Sequence, residues 1–155
     1  MVDFPFPASQ LTRRNDLRLR EGQPFTKFSA RIPKADRDEF HVLLPQHGSR
    51  MWFIRQSLAR LLDNVEKNPS VIPEITASIQ SMLSAETDSS LGGVEFPASV
   101  HSQDYRRFNE VFGMYGATSW FVRGVVREYL KLAKDLPSIE KQVNDAVDNL
   151  LVAAA

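Results

Sequence analysis

Lys27, Ser29 and Arg31 stand at every second position of the segment KFSARIP. On an extended strand, residues two apart project from one face, so this spacing aligns an ammonium, a hydroxyl and a guanidinium. Lys and Arg donate hydrogen bonds to guanine O6 and N7, and a serine hydroxyl pairs with several bases or with a phosphate. The intervening Phe28, Ala30 and Ile32 supply the apolar face that a half-buried strand requires. Such a triad is either an ordinary exposed strand face, where Lys, Ser and Arg are common, or a set of donors suited to base edges, and it carries no bond-breaking chemistry.

Reactive side chains elsewhere fall into no catalytic pattern. His41, His47 and His101 are scattered without helical ligand spacing, and the chain has no cysteine. Asp36, Asp38 and Glu39 crowd a helix start, where capping accounts for them. No phosphate-binding glycine loop or nucleophile elbow is present, so no catalytic residue, metal ligand or cofactor is expected.

The elements that must position the triad occur twice. Phe28 to Leu62 aligns without a gap on Phe96 to Leu130 at an offset of about 68 residues. Trp52, Phe53 and Arg55 fall on Trp120, Phe121 and Arg123, and Gly48 falls on Gly116. Each copy reads as a short strand, a first helix, a turn and a second helix. In the first copy, Asp36 and Glu39 have capping-box spacing, Phe40, Leu43 and Leu44 form an apolar face, and Pro45 with Gly48 stops the run. The second helix carries Ile54, Leu58, Leu61, Leu62 and Val65, matched by Val122, Val126, Tyr129, Leu130 and Ala133. A third helical stripe follows in each copy: Ile75, Ile79, Met82 and Leu83, then Ile139, Val143, Val147, Leu150 and Leu151. It either widens the core or makes an oligomer contact, and core is the reading adopted. Trp52 and Trp120 are assigned to core or to the contact between the copies.

The order strand, helix, turn, helix, with Lys27 to Pro33, Gly48-Ser49-Arg50 and Phe53-Ile54-Arg55, resembles the ribbon-helix-helix family of DNA-binding proteins. The likeness covers about 40 residues of each copy. It implies that two strands pair antiparallel and that the resulting ribbon enters the DNA major groove. Tandem copies on one chain look like the conjugation and T-DNA transfer accessory proteins that carry two such units. The resemblance implies a mainly α fold: two ribbon-helix-helix repeats forming a pseudo-dimer with one two-stranded antiparallel ribbon, plus an extra helix after each repeat. The second strand supplies Glu95, Pro97 and Ser99 where the first has Lys27, Ser29 and Arg31. Glu95 can accept from cytosine N4 and Ser99 offers a hydroxyl, so base contacts are expected from Lys27, Ser29, Arg31, Glu95 and Ser99. This unlike pair of strands predicts a poorly palindromic site, read mainly by the first. The positive end of each second helix is a natural phosphate seat, which places Ser49, Arg50, Thr118 and Ser119 as phosphate contacts. Arg55 and Arg123 are assigned to phosphates or to intramolecular ion pairs.

Composition sets the remaining limits. The 155 residues carry no net charge, and their 43% hydrophobic content suits a soluble core. Residues 1–34 hold a local excess of about four positive charges. The organisation expected is a basic arm at 1–24, a first repeat with its extra helix at 25–84, a linker at 85–92 and a second repeat at 93–152. Arg13 and Arg14 of the arm either track phosphates or belong to a solvated tail or a short helix that covers the core with Leu11, Leu17 and Leu19. An isolated strand has no partner for its backbone groups, and the tethered second copy is close by, so pairing within the chain is the default. The rival is pairing between chains. With no apolar run of about 20 residues, no membrane span is expected, and the chain is read as intracellular and cytoplasmic. The expected partner is double-stranded DNA, with the chain acting as a transcriptional repressor or a DNA-processing accessory factor. Self-association through the third helices is a further expectation. The competing expectation is a protein partner, bound by a ribbon-helix-helix scaffold that has lost its DNA face, as an interaction or inhibitor module.

Overall fold

The computed structural model describes residues 25–85, 93–133 and 139–154. Strand β1 (Phe25–Ile32) leads into helices α1 (Lys34–Leu43) and α2 (His47–Lys67), a 3-10 turn (Pro69–Val71) and α3 (Ile72–Ala85). The same order returns with β2 (Val94–His101), α4 (Ser102–Val111), α5 (Ala117–Leu132) and α6 (Ile139–Ala154). The stretch 1–24, with Arg13 and Arg14, lies outside the described residues, as does most of the 85–92 linker.

The two strands form one antiparallel ribbon within the chain, from Phe25 opposite His101 to Ile32 opposite Val94. Ser29 and Pro97 face each other at its middle. They are also equivalent positions of the repeat, so an approximate twofold axis passes through that pair. Arg31 directs its amide to the Ser119 hydroxyl at 2.9 Å and accepts the Arg123 Nε on its carbonyl at 2.7 Å. Its backbone therefore points away from β2, which makes Arg31 and Glu95 a non-hydrogen-bonded pair. By the period of two, Ser29 and Pro97 form another such pair, and the ribbon tolerates Pro97 because no ladder bond is asked of its nitrogen.

Each strand runs eight residues, longer than the five-residue pattern of the first copy indicates. Contacts at the open end hold the extension. The Phe25 ring lies 4.7 Å from the His101 ring, and the Thr26 and Ser102 hydroxyls are 2.6 Å apart.

Beneath the ribbon, Ala30, Ile32, Phe96, Ala98 and Val100 are buried against the helices. Phe40 packs on Phe53 at 5.8 Å between centroids, and the equivalent Phe108 packs on Phe121 at 5.9 Å. The halves also interlock. Phe40 of α1 meets Tyr129 of α5 edge-on at 5.4 Å, and Asp36 reaches Arg127 at 3.7 Å. The third helices cross over as well: Trp120 of α5 donates Nε1 to Ser78 of α3 at 2.9 Å, and Arg60 of α2 pairs with Asp148 of α6 at 3.2 Å. Ile75, Ile79, Val143, Val147 and Leu150 are buried, so the third helices widen the core. Trp52 and Trp120 are buried too.

The capping-box expectation is corrected. Helix α1 begins at Lys34 with Pro33 as its N-cap and no side-chain capping bond. Proline fixes the extended entry, its carbonyl takes the Arg37 amide at 3.0 Å, and Asp36 sits inside the first turn.

Candidate nucleic-acid interface

The apolar alternation of β1 turns Phe28, Ala30 and Ile32 toward the helices, and Lys27, Ser29 and Arg31 occupy the outer face. Opposite them stand Ser99, Pro97 and Glu95 in that order. Lys27, Ser29, Glu95 and Pro97 are exposed, whereas Arg31 and Ser99 are half-buried. The ribbon thus gathers all five of the expected base-contacting residues on one surface.

Their surroundings are unequal. Arg31 donates Nη2 to the Gly93 carbonyl at 2.7 Å, and its Nε is buried without a hydrogen-bond partner. Ser29 makes a long 3.4 Å contact to Glu95 Oε1. Gly93, at φ +96, precedes β2 so tightly that a Cβ there would lie 2.2 Å from the Ile32 carbonyl oxygen. At the opposite end, the Arg55 guanidinium lies over the Phe25 ring at 4.4 Å and gives its Nε to the Ser99 carbonyl at 2.8 Å.

The helix ends depart from expectation. Ser49 and Ser119 are buried, at 0% and 4% exposure, so neither hydroxyl stands open to a phosphate as its position in the sequence suggests. The Ser119 hydroxyl instead serves β1. Arg50 is half-buried and donates to the Leu44 carbonyl at 2.7 Å, satisfying the end of α1. Burial also lowers the Arg50 pKa from its ordinary value. Thr118 remains half-buried at the start of α5.

Arg55 and Arg123 carry a function that sequence reasoning missed. Each clasps the strand of the other half, Arg55 on Ser99 and Arg123 on Arg31, and these are equivalent positions of the repeat. Their duplication was legible, but a strand carbonyl as partner required knowing that the ribbon leaves its outer edges unpaired. His41 on α1 has a pKa lowered by partial desolvation and by the nearby Arg50 and Arg37. Among the described residues, no group of three or more His, Asp or Glu side chains is arranged to hold a metal ion. No described helix is long and apolar enough to cross a membrane.

No protein-family model matches the chain, and neither a curated protein nor a solved structure is detectably similar to it.

Proposed function

We propose that this chain binds double-stranded DNA through the outer face of its ribbon, as a single-chain pseudo-dimer of ribbon-helix-helix type. The single observation carrying this reading is the antiparallel pairing of β1 with β2, which leaves Lys27, Ser29 and Arg31 on the side away from the core. A B-DNA major groove about 12 Å wide admits a two-stranded ribbon, and these side chains have the donors that base edges accept. The strand-helix-helix order of both halves supports the same reading. Repression of transcription and marking of a DNA-processing site are the two roles that such binding serves.

Fluorescence anisotropy with random duplex DNA over a salt series tests it. Binding is expected at low salt, weakening as salt rises because phosphate contacts release counterions. The Lys27→Ala, Arg31→Ala double variant should lose most of it. Wild-type protein that stays unbound at low salt, or binding indifferent to the double substitution, overturns the assignment. Glu95 and Pro97 on the same face favour a second reading, a protein-binding ribbon, which a pull-down under those conditions addresses.

A further inference from the structure

The outer face of the ribbon has two unlike ends. Lys27 faces Ser99 at one, Arg31 faces Glu95 at the other, and Ser29 with Pro97 lies between them on the approximate twofold axis. That axis exchanges Lys27 with Glu95 and Arg31 with Ser99, so a cation at each end comes from the same strand but meets a different neighbour.

Arg31 is half-buried and partly tied down. Its Nη2 is held by the Gly93 carbonyl at 2.7 Å, its Nε is buried, and its cross-strand neighbour is a carboxylate. The bond to Gly93 holds the guanidinium back from a base edge, and the acid opposite repels phosphate. Lys27 is exposed, and no carboxylate among the described residues pairs with it. Around it stand the Ser99 hydroxyl and the Arg55 guanidinium, which rests on Phe25.

Building on the DNA-binding reading, we propose that the ribbon reads DNA with one end only. Lys27 and Ser99 contact base edges, and at the other end the Arg31 side chain, bound to the Gly93 carbonyl, is a clasp that closes the ribbon. The division of labour runs by ribbon end, not by strand. Ser99 of β2 joins the reading end, and Arg31 of β1 leaves it. The recognised element is one short guanine-containing block in a fixed orientation, not a pair of inverted half-sites, because the cation of the second end is half-buried, tied to the Gly93 carbonyl and opposite a carboxylate.

Selection from a random duplex pool with the full chain, followed by anisotropy on the selected duplex, tests this. The wild-type site is expected to hold one dominant, non-palindromic block. Lys27→Ala should weaken binding about tenfold or more and flatten the base preference. Arg31→Ala should change affinity by less than about threefold, as for a side chain that contacts no base. If Arg31→Ala does not fold by circular dichroism, Arg31→Gln keeps a donor for Gly93 and reads the same quantity. Glu95→Lys places a second exposed amine at the twofold equivalent of Lys27, and its selected site should become an inverted repeat. A palindromic wild-type site, or an Arg31 variant as damaging as Lys27→Ala, overturns the one-ended reading while leaving DNA binding intact. Failure of the wild type to retain any duplex at low salt removes the binding function itself, and this inference with it.

Discussion

Ser57 and Val125 occupy equivalent places in α2 and α5, and both are fully buried, yet the Ser57 hydroxyl finds no hydrogen-bond partner. Burying an unsatisfied polar atom costs about 1–3 kcal/mol, and serine is a weaker helix former than alanine. Ser57→Ala is therefore expected to raise stability by about 1 kcal/mol, seen as a higher denaturant midpoint at unchanged slope. Tyr129 gives a second prediction at this scale. Wedged between Phe40 and Phe53, with centroids 5.4 and 5.0 Å away, its hydroxyl is pushed up by burial to a pKa of about 12. Above pH 10 the unfolded chain releases this proton and the folded chain keeps it, so stability falls as pH rises from about 10 to 12, by about 2–3 kcal/mol. Tyr129→Phe should keep the ring packing and remove that share of the alkaline loss in pH-dependent unfolding. The outer face was legible because alternation with Phe28, Ala30 and Ile32 fixes which way Lys27, Ser29 and Arg31 turn. The grip of Gly93 on Arg31 was not, since a backbone carbonyl leaves no mark in the sequence.

Helices α2 and α5 descend from matching sequences but start differently. Gly48 lies within the first turn of α2, whereas Gly116 caps α5 with φ +88. The Leu83 side chain of α3 packs so closely on Gly116 that a Cβ there would lie 2.9 Å from it. Gly116→Ala is accordingly expected to cost about 1–2 kcal/mol in chemical denaturation, through left-handed strain and crowding of a flexible side chain. Gly48→Ala should be neutral or slightly stabilising, because alanine is the better helix former at an ordinary helical φ. Two residues with the same local signal thus part company because of what packs on one of them, which no local pattern records. The strand clasps show the same limit. Ser119 accepts the Arg31 amide, but its equivalent is Met51, which is buried and provides no hydroxyl. Arg123→Met removes a charged donor from a half-buried carbonyl and should lower stability by about 1–2 kcal/mol in the same assay. Helix identities came from apolar spacing and matched, whereas α1 began two residues before its expected acidic cap because Pro33 sets the entry.

At the scale of the whole chain, the repeat predicted two units, and the contacts bind them into one. β1 has its backbone partner in β2, α3 meets α5 through Ser78 and Trp120, and α6 meets α2 through Asp148 and Arg60. Neither half keeps these partners when alone. A two-stranded ribbon is marginal even when intact, and a lone strand has no ladder at all. Interlocked halves on one chain also make folding intramolecular, so the melting temperature should not change with protein concentration. A pairing exchanged between chains predicts a rise with concentration. Cutting the chain sharpens the test. A fragment of residues 1–85 exposes the apolar faces of β1, α2 and α3 that the second half covers, and it should show no cooperative thermal transition at micromolar concentration. Mixing it with residues 93–155 should restore a transition that now depends on concentration, because the tether no longer supplies a high effective concentration of the missing half. A first-half fragment that melts cooperatively by itself, at a temperature independent of concentration, contradicts the interlocked architecture and with it the shared ribbon on which the proposed DNA-binding face is built.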